Sequence, residues 1–156
     1  MDWGAVGAVA ELLSAIAVIV SILYLGAQVR QGASDVRASI IHSLHANEIQ
    51  IQAKPSTNVI LARAIEKAYT DQTLTDDERA QFSMYFYAAM INFEQVYLEY
   101  KRLNVEPGLF VAHQTRISGG LKPSLTRAVW NRLKDRFTLE FQEYVDELIL
   151  QYHTDA

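Results

Sequence analysis

The chain contains no cysteine. That excludes disulfides, thiolate zinc sites, iron–sulfur ligation and cysteine nucleophiles, and it fits a reducing compartment. Proline is almost as scarce: three among 156 residues, and none before Pro55. Nothing in the first fifty residues therefore forces a helix to stop. Period-2 alternation of apolar and polar residues is missing, so no strand is expected. Basic clusters are missing too. Lys and Arg are scattered and the net charge is −4, which argues against a chain that tracks phosphates and excludes nucleic acid as the expected partner. No repeat and no low-complexity tract occurs.

The most informative absence is of charge at the start. Between Trp3 and Val29 the only charged side chain is Glu11, and from Leu12 to Val29 there is none. As a helix this uncharged run spans roughly 27 Å, close to the hydrocarbon thickness of a bilayer. It also explains why half of the chain is hydrophobic. A cleaved signal peptide would need a basic n-region, a shorter apolar core and a small-x-small cleavage site. Here the n-region is Met-Asp-Trp, and Gln28-Val29-Arg30-Gln31 follows the core. The reading is an uncleaved transmembrane helix over residues 1–31, with the lipid bilayer as its first partner. Arg30 and Arg37 follow the span and no base precedes it, so the positive-inside rule places the C-terminal side in the cytoplasm and the N-terminus outside. Trp3, Tyr24 and Arg30 are the candidate membrane-interface residues.

Beyond Arg30 the pattern turns amphipathic. Val29, Ala33, Val36, Ile40, Leu44 and Ile51 recur at helical spacing, which predicts a juxtamembrane helix over 32–54. Lys54-Pro55-Ser56-Thr57 should end it near Ala53. Residues 55–156 then read as a cytosolic helical bundle. A short helix is expected from about Asn58 to Tyr69. Thr75-Asp76-Asp77-Glu78 has the capping-box form and opens a helix to about Leu103. Phe82, Phe86, Ala89, Phe93 and Tyr100 form one face of it, while Tyr85, Ala88, Met90 and Ile91 cover much of the rest. A helix apolar over most of its circumference should be central. Pro107 can begin another helix through Ile117, and Ser118-Gly119-Gly120 reads as a stop. Ser124–Phe137 and a last helix after Thr138 to about Tyr152, burying Phe141, Val145, Leu148 and Ile149, complete an all-α chain.

Several motifs recur in the same order in a group of small bacterial proteins. They are the Trp3-x-Ala5-x-Gly7-Ala8-x-x-Glu11 anchor, Leu23-Tyr24-Leu25 before Gln28-Val29-Arg30-Gln31, and Leu74-Thr75-x-x-Glu78-Arg79. Phe93-Glu94-x-x-Tyr97-x-x-Tyr100 and Trp130…Phe137…Glu140-Phe141…Val145 complete the set. The chain resembles an uncharacterised family of small bacterial proteins with one N-terminal transmembrane helix and a helical C-terminal domain. The resemblance covers most of the chain. It implies that architecture and a bacterial inner-membrane location, and it carries no activity. At Ser118-Gly119-Gly120-Leu121 it implies a more helical stretch than these residues suggest.

Counted as heptads, Glu11, Ser14, Val18, Ser21, Leu25 and Gln28 share one face of the anchor, and this stripe takes nearly every polar residue of the span. Ala10, Ser14, Ala17 and Ser21 add a small-xxx-small series. Such a face is costly in lipid and should turn to protein or water. It predicts a homo-oligomer, or a subunit of a larger membrane complex, packed through these side chains. The bland alternative is that the serines bond their own i−4 carbonyls and that Glu11 lies among the headgroups. A sharper one is a homo-oligomeric cation pore with a ring of Glu11 carboxylates. Glu94, inside the central helix, is expected to be a structural acid held by an Arg or a Tyr hydroxyl. His42 and His45 lie three apart on one face, but without Cys or a fixed third ligand they read as surface or interface histidines rather than a metal site. No Glu-x-x-His pair, nucleophile elbow or phosphate loop is present. The expectation is a non-enzymatic assembling or accessory membrane subunit without a cofactor.

Overall fold

The computed structural model describes residues 3–154, and for Trp3, Ala5, Val6, 8–10 and 152–154 it describes the backbone only. These residues form six α-helices and no strand. Helix α1 runs Trp3–Thr57, α2 Val59–Tyr69, α3 Asp76–Lys101, α4 Pro107–Leu121, α5 Ser124–Leu133 and α6 Leu139–Thr154, with a 3-10 turn at Lys134–Arg136 between α5 and α6. The chain falls into two compact units, Met1–Ser39 and Ile40–Ala156.

Over its described residues the first unit is helix alone. Leu12, Leu13, Ile16, Val18, Ile19, Val20, Ile22 and Leu23 are all exposed. Among the described residues this is the one helix long and apolar enough to cross a membrane, and its apolar stretch is not buried.

The second unit begins inside the same helix. Leu44 joins the core and Ile40 packs against it, whereas Val29 and Val36, expected on the same stripe, stay exposed. The helix also passes its expected end near Ala53. Pro55 sits in its last turn, where the amide hydrogen it lacks removes only one bond, and the helix stops at Thr57. Asn58 then caps α2, its Oδ1 accepting from the Leu61 amide at 3.1 Å.

Helix α3 organises the unit. Its capping box forms as its sequence predicts, and Glu78 does more than cap. Besides the Thr75 amide at 2.9 Å, its carboxylate accepts two bonds from Lys67 Nζ at 2.8 and 2.7 Å, tying α2 to α3. The Lys67 ammonium and the Thr75 amide hold this carboxyl below the usual range. Phe82, Phe86, Met90, Phe93, Val96 and Tyr97 are buried. Ile91, expected to help cover the circumference, is exposed, and its neighbour Asn92 is buried in its place. Around Phe93 the rings close: Phe141 lies edge-on at 5.4 Å and Phe110 stacks at 6.5 Å. Trp130 is completely buried, and its indole N–H donates to Asp146 at 2.7 Å. Each such aromatic contributes about 1.5–3 kcal/mol by leaving water.

Two expectations fail locally. Ser118-Gly119-Gly120 is helical rather than a stop. Ser118 is buried with its hydroxyl returned to the Gln114 carbonyl at 2.7 Å, and Leu121 one turn on is a core residue, so burial outweighs the roughly 1 kcal/mol that each glycine costs a helix. Pro123, extended at ψ 143°, separates α4 from α5. Glu94 is indeed a structural acid, but its partner is neither Arg nor Tyr: it accepts from the Thr138 amide at 2.8 Å and the Thr138 hydroxyl at 2.9 Å. Thr138 thus donates its hydroxyl to α3 at the start of α6, where its own carbonyl accepts the first helical bond from the Gln142 amide at 2.9 Å.

Helix α3 ends in a Schellman motif. The Asn104 amide reaches the Glu99 carbonyl and the Leu103 amide the Tyr100 carbonyl, both at 2.9 Å, and Leu103 takes φ 62°. A branched side chain in this left-handed region is strained by about 1 kcal/mol, and Leu103 recovers none of it by packing, being 78% exposed. Leu103→Gly should therefore raise unfolding stability by about 0.5–1 kcal/mol, read as a higher denaturant midpoint at unchanged slope. A lower midpoint would show that Leu103 contributes contacts the fold needs.

Candidate functional site

Two places on the molecule carry residues that could act on something else. The first is the stripe on α1. Val18, Ser21, Leu25 and Gln28 are exposed along the helix, as are Glu11 and Ser14. Ser21 donates to the Ala17 carbonyl at 2.8 Å, the i−4 bond of the bland reading, which lowers the cost of that hydroxyl in an apolar setting. Gln28 donates to the Tyr24 hydroxyl at 3.3 Å, joining the foot of the stripe to an expected interface aromatic. Arg30 and Tyr24 are exposed. The Trp3 side chain falls outside the described residues.

The second place was not foreseen. Within the 40–156 unit lies a cavity of about 450 Å³, bounded by α1, α2, α3, α4 and α5. Its apolar wall is Phe82, Phe86, Met90 and Phe93 of α3 with Ile65 of α2 and Ile117 of α4. One side is polar. Glu48, from the C-terminal part of α1, meets two residues one turn apart on α4. Arg116 pairs with Glu48 Oε1, and His113 Nδ1 lies 3.3 Å from Oε2. Gln52 donates to Oε1 as well, at 2.9 Å. Tyr69, Tyr85, Thr126 and Asn92 are the remaining polar residues of the lining, and Asn92 differs from the rest. It is only 8% exposed, and its Oδ1 has no hydrogen-bond partner.

His113 is the buried base of the cluster. Loss of water pushes its imidazole down from the ordinary 6.5, and His45, stacked on it with ring centroids 6.1 Å apart, pushes the same way. Glu48 would favour the charged ring, but Arg116 already balances that carboxylate. His45 therefore has a partner on α4, consistent with an interface histidine within the fold. Among the described residues no three His, Cys, Asp or Glu gather as a metal-ligand set. Tyr85, also on the cavity wall, has its phenol raised by burial and by Tyr69.

Sequence reasoning missed this site because its parts come from distant segments. Glu48, Asn92 and His113 are separated by 44 and 21 residues and share no spacing rule. The one local signal was Asn92 itself, an amide between Ile91 and Phe93 in an apolar helix.

A pH dependence follows from His113. Its folded-state pKa is depressed, so as pH falls the unfolded chain takes up the proton first, and stability drops. The contribution is complete above about pH 6.5 and is lost below it, towards the folded-state value. Carboxyls with lowered values, Glu78 and Glu140, act below about 4.5, outside that window. Denaturant titrations at about pH 7.5 and about pH 5.5 should show a lower midpoint at the acid end, and His113→Gln should reduce the difference. Equal differences in both proteins would place the titrating group elsewhere.

Comparison with known proteins finds no matching family model, no matching curated sequence and no matching solved structure, so the function is read from the geometry of this chain alone.

Proposed function

We propose that the protein is a single-pass membrane protein with a non-enzymatic, assembling role, the subunit of a homo-oligomer or of a larger membrane complex. The observation that carries this reading is the exposed apolar surface of α1. From Leu12 to Val29 no charge interrupts it and no large side chain is buried. Water would penalise that surface at about 25 cal/mol per Å², and lipid removes the penalty. The helical backbone satisfies its own hydrogen bonds, as a span in hydrocarbon must.

Lateral association rests on the stripe. Glu11, Ser14, Ser21 and Gln28 are gathered on one heptad face, and the small residues Ala17 and Ser21 permit a second helix to approach closely. Arg30 and Arg37 follow the span and favour a cytoplasmic location for the helical domain, with the N-terminus outside. The resemblance to small bacterial membrane proteins supports the bacterial inner membrane as its location. No observation on the structure lifts the Glu11 cation pore above this reading.

The test is oligomer mass in mild detergent. Wild-type protein should give a multiple of the chain mass by light scattering, and Ser14→Leu with Ser21→Leu should lower it while the protein still sediments with membranes after alkaline washing. An unchanged mass in the variant would remove the stripe as the interface. Release of the wild type by alkaline washing would remove the membrane reading itself. A cation current in planar bilayers that Glu11→Gln abolishes would replace the assembling role with the pore.

A further inference from the structure

The cavity beneath α3 has the size and the wall of a small-molecule site. Its volume of about 450 Å³ lies within the range of about 300–1,000 Å³ that such sites occupy, and most of its lining is aliphatic or aromatic. What distinguishes it from a packing fault is Asn92. A fault in an apolar core costs stability and is lined by apolar groups. Here a carboxamide has been carried into the lining, 8% exposed, with an oxygen that accepts no hydrogen bond from the protein. A buried acceptor left unpaired costs about 1–3 kcal/mol, and the outward-facing position next to it is held by Ile91, an inversion of what burial alone would select.

The charges nearby define what the ligand is not. Glu48 and Arg116 pair with each other, and the second Glu48 oxygen faces His113. His113 is kept towards its neutral form by burial. The polar side of the cavity is therefore electrically closed, and an ion entering it would have to break a pair that is already made. The buried oxygen of the lining that has no partner is Asn92 Oδ1, and it calls for an uncharged donor.

We propose that this cavity binds a small neutral apolar molecule bearing a hydroxyl group, an alcohol or a phenol, whose O–H donates to Asn92 Oδ1 while its body lies against Phe82, Phe86, Met90 and Phe93. The aromatic wall offers faces and edges to a ring, and the Met90 thioether adapts to its outline. The site lies wholly inside the 40–156 unit, so the inference stands apart from the reading of the membrane helix.

The methionines provide the readout. The chain has three, of which Met90 is completely buried in the cavity wall and Met84 is exposed on the same helix. Full-length protein labelled with 13C at the methionine methyls, in lipid nanodiscs, is titrated with 2-naphthol and with 2-methoxynaphthalene, which keeps the ring system and lacks the donor. The expected result is a saturable shift of the Met90 signal by 2-naphthol with Met84 unmoved, and affinity about tenfold weaker for the ether. Asn92→Leu removes an unpaired polar group of similar size, so the protein should still fold, and it should bind the two compounds about equally. The proposal is overturned if Met90 does not respond, if both methionines drift together as the compound partitions into the bilayer, if the ether binds wild type as well as the naphthol does, or if Asn92→Leu keeps the preference.

Discussion

The helical domain depends on the burial of Phe93 in a cage of rings. Phe110, Phe141, Tyr97 and Tyr144 surround it or its immediate neighbours, and Trp130 meets Phe141 edge-on at 6.2 Å. These rings come from α3, α4, α5 and α6. No pair of those helices has a core of its own, so the aromatic cluster is what makes them one body. Polar bonds then orient what burial has collected. The Trp130 indole and the Lys134 ammonium share Asp146, fixing α5 against α6.

Helical geometry lets three consecutive residues at this centre do three different things. Successive side chains on an α-helix point about 100° apart. Phe93 enters the ring cluster, Glu94 reaches the Thr138 amide and hydroxyl at the start of α6, and Asn92 lines the cavity on the other flank. Core, helix start and cavity are thereby placed by one turn of α3. A shift of one residue in its register would move all three at once.

The N-terminal part of α1 follows a different rule. Its backbone is satisfied within the helix, and from Leu12 to Val29 every side chain is exposed. Ser21 bonds its own turn and Gln28 bonds Tyr24, and in lipid these bonds would make the polar stripe less costly than its composition suggests. That does not disperse the stripe. The polar and small residues remain on one face, which is the arrangement lateral packing uses.

Much of this was legible in the residues. The uncharged run from Leu12 to Val29, the capping box at Thr75, Pro107 at a helix start and the 3.6-residue spacing of Phe82, Phe86 and Phe93 are local signals, and local backbone physics answered them with helices at nearly the expected bounds. What tertiary structure decided is where local preference competes with burial or where partners lie far apart. Ser118-Gly119-Gly120 reads as a break and became helix because Ser118 and Leu121 are buried. Glu94 was legible as a structural acid, but its partner is 44 residues away. The cavity needed Glu48, Asn92 and His113 brought together from three helices. Periodicity along a chain specifies which face of a helix is apolar, and it contains no statement of which other face will meet it. That choice is made by the summed burial of all the helices, which exists only once they have packed.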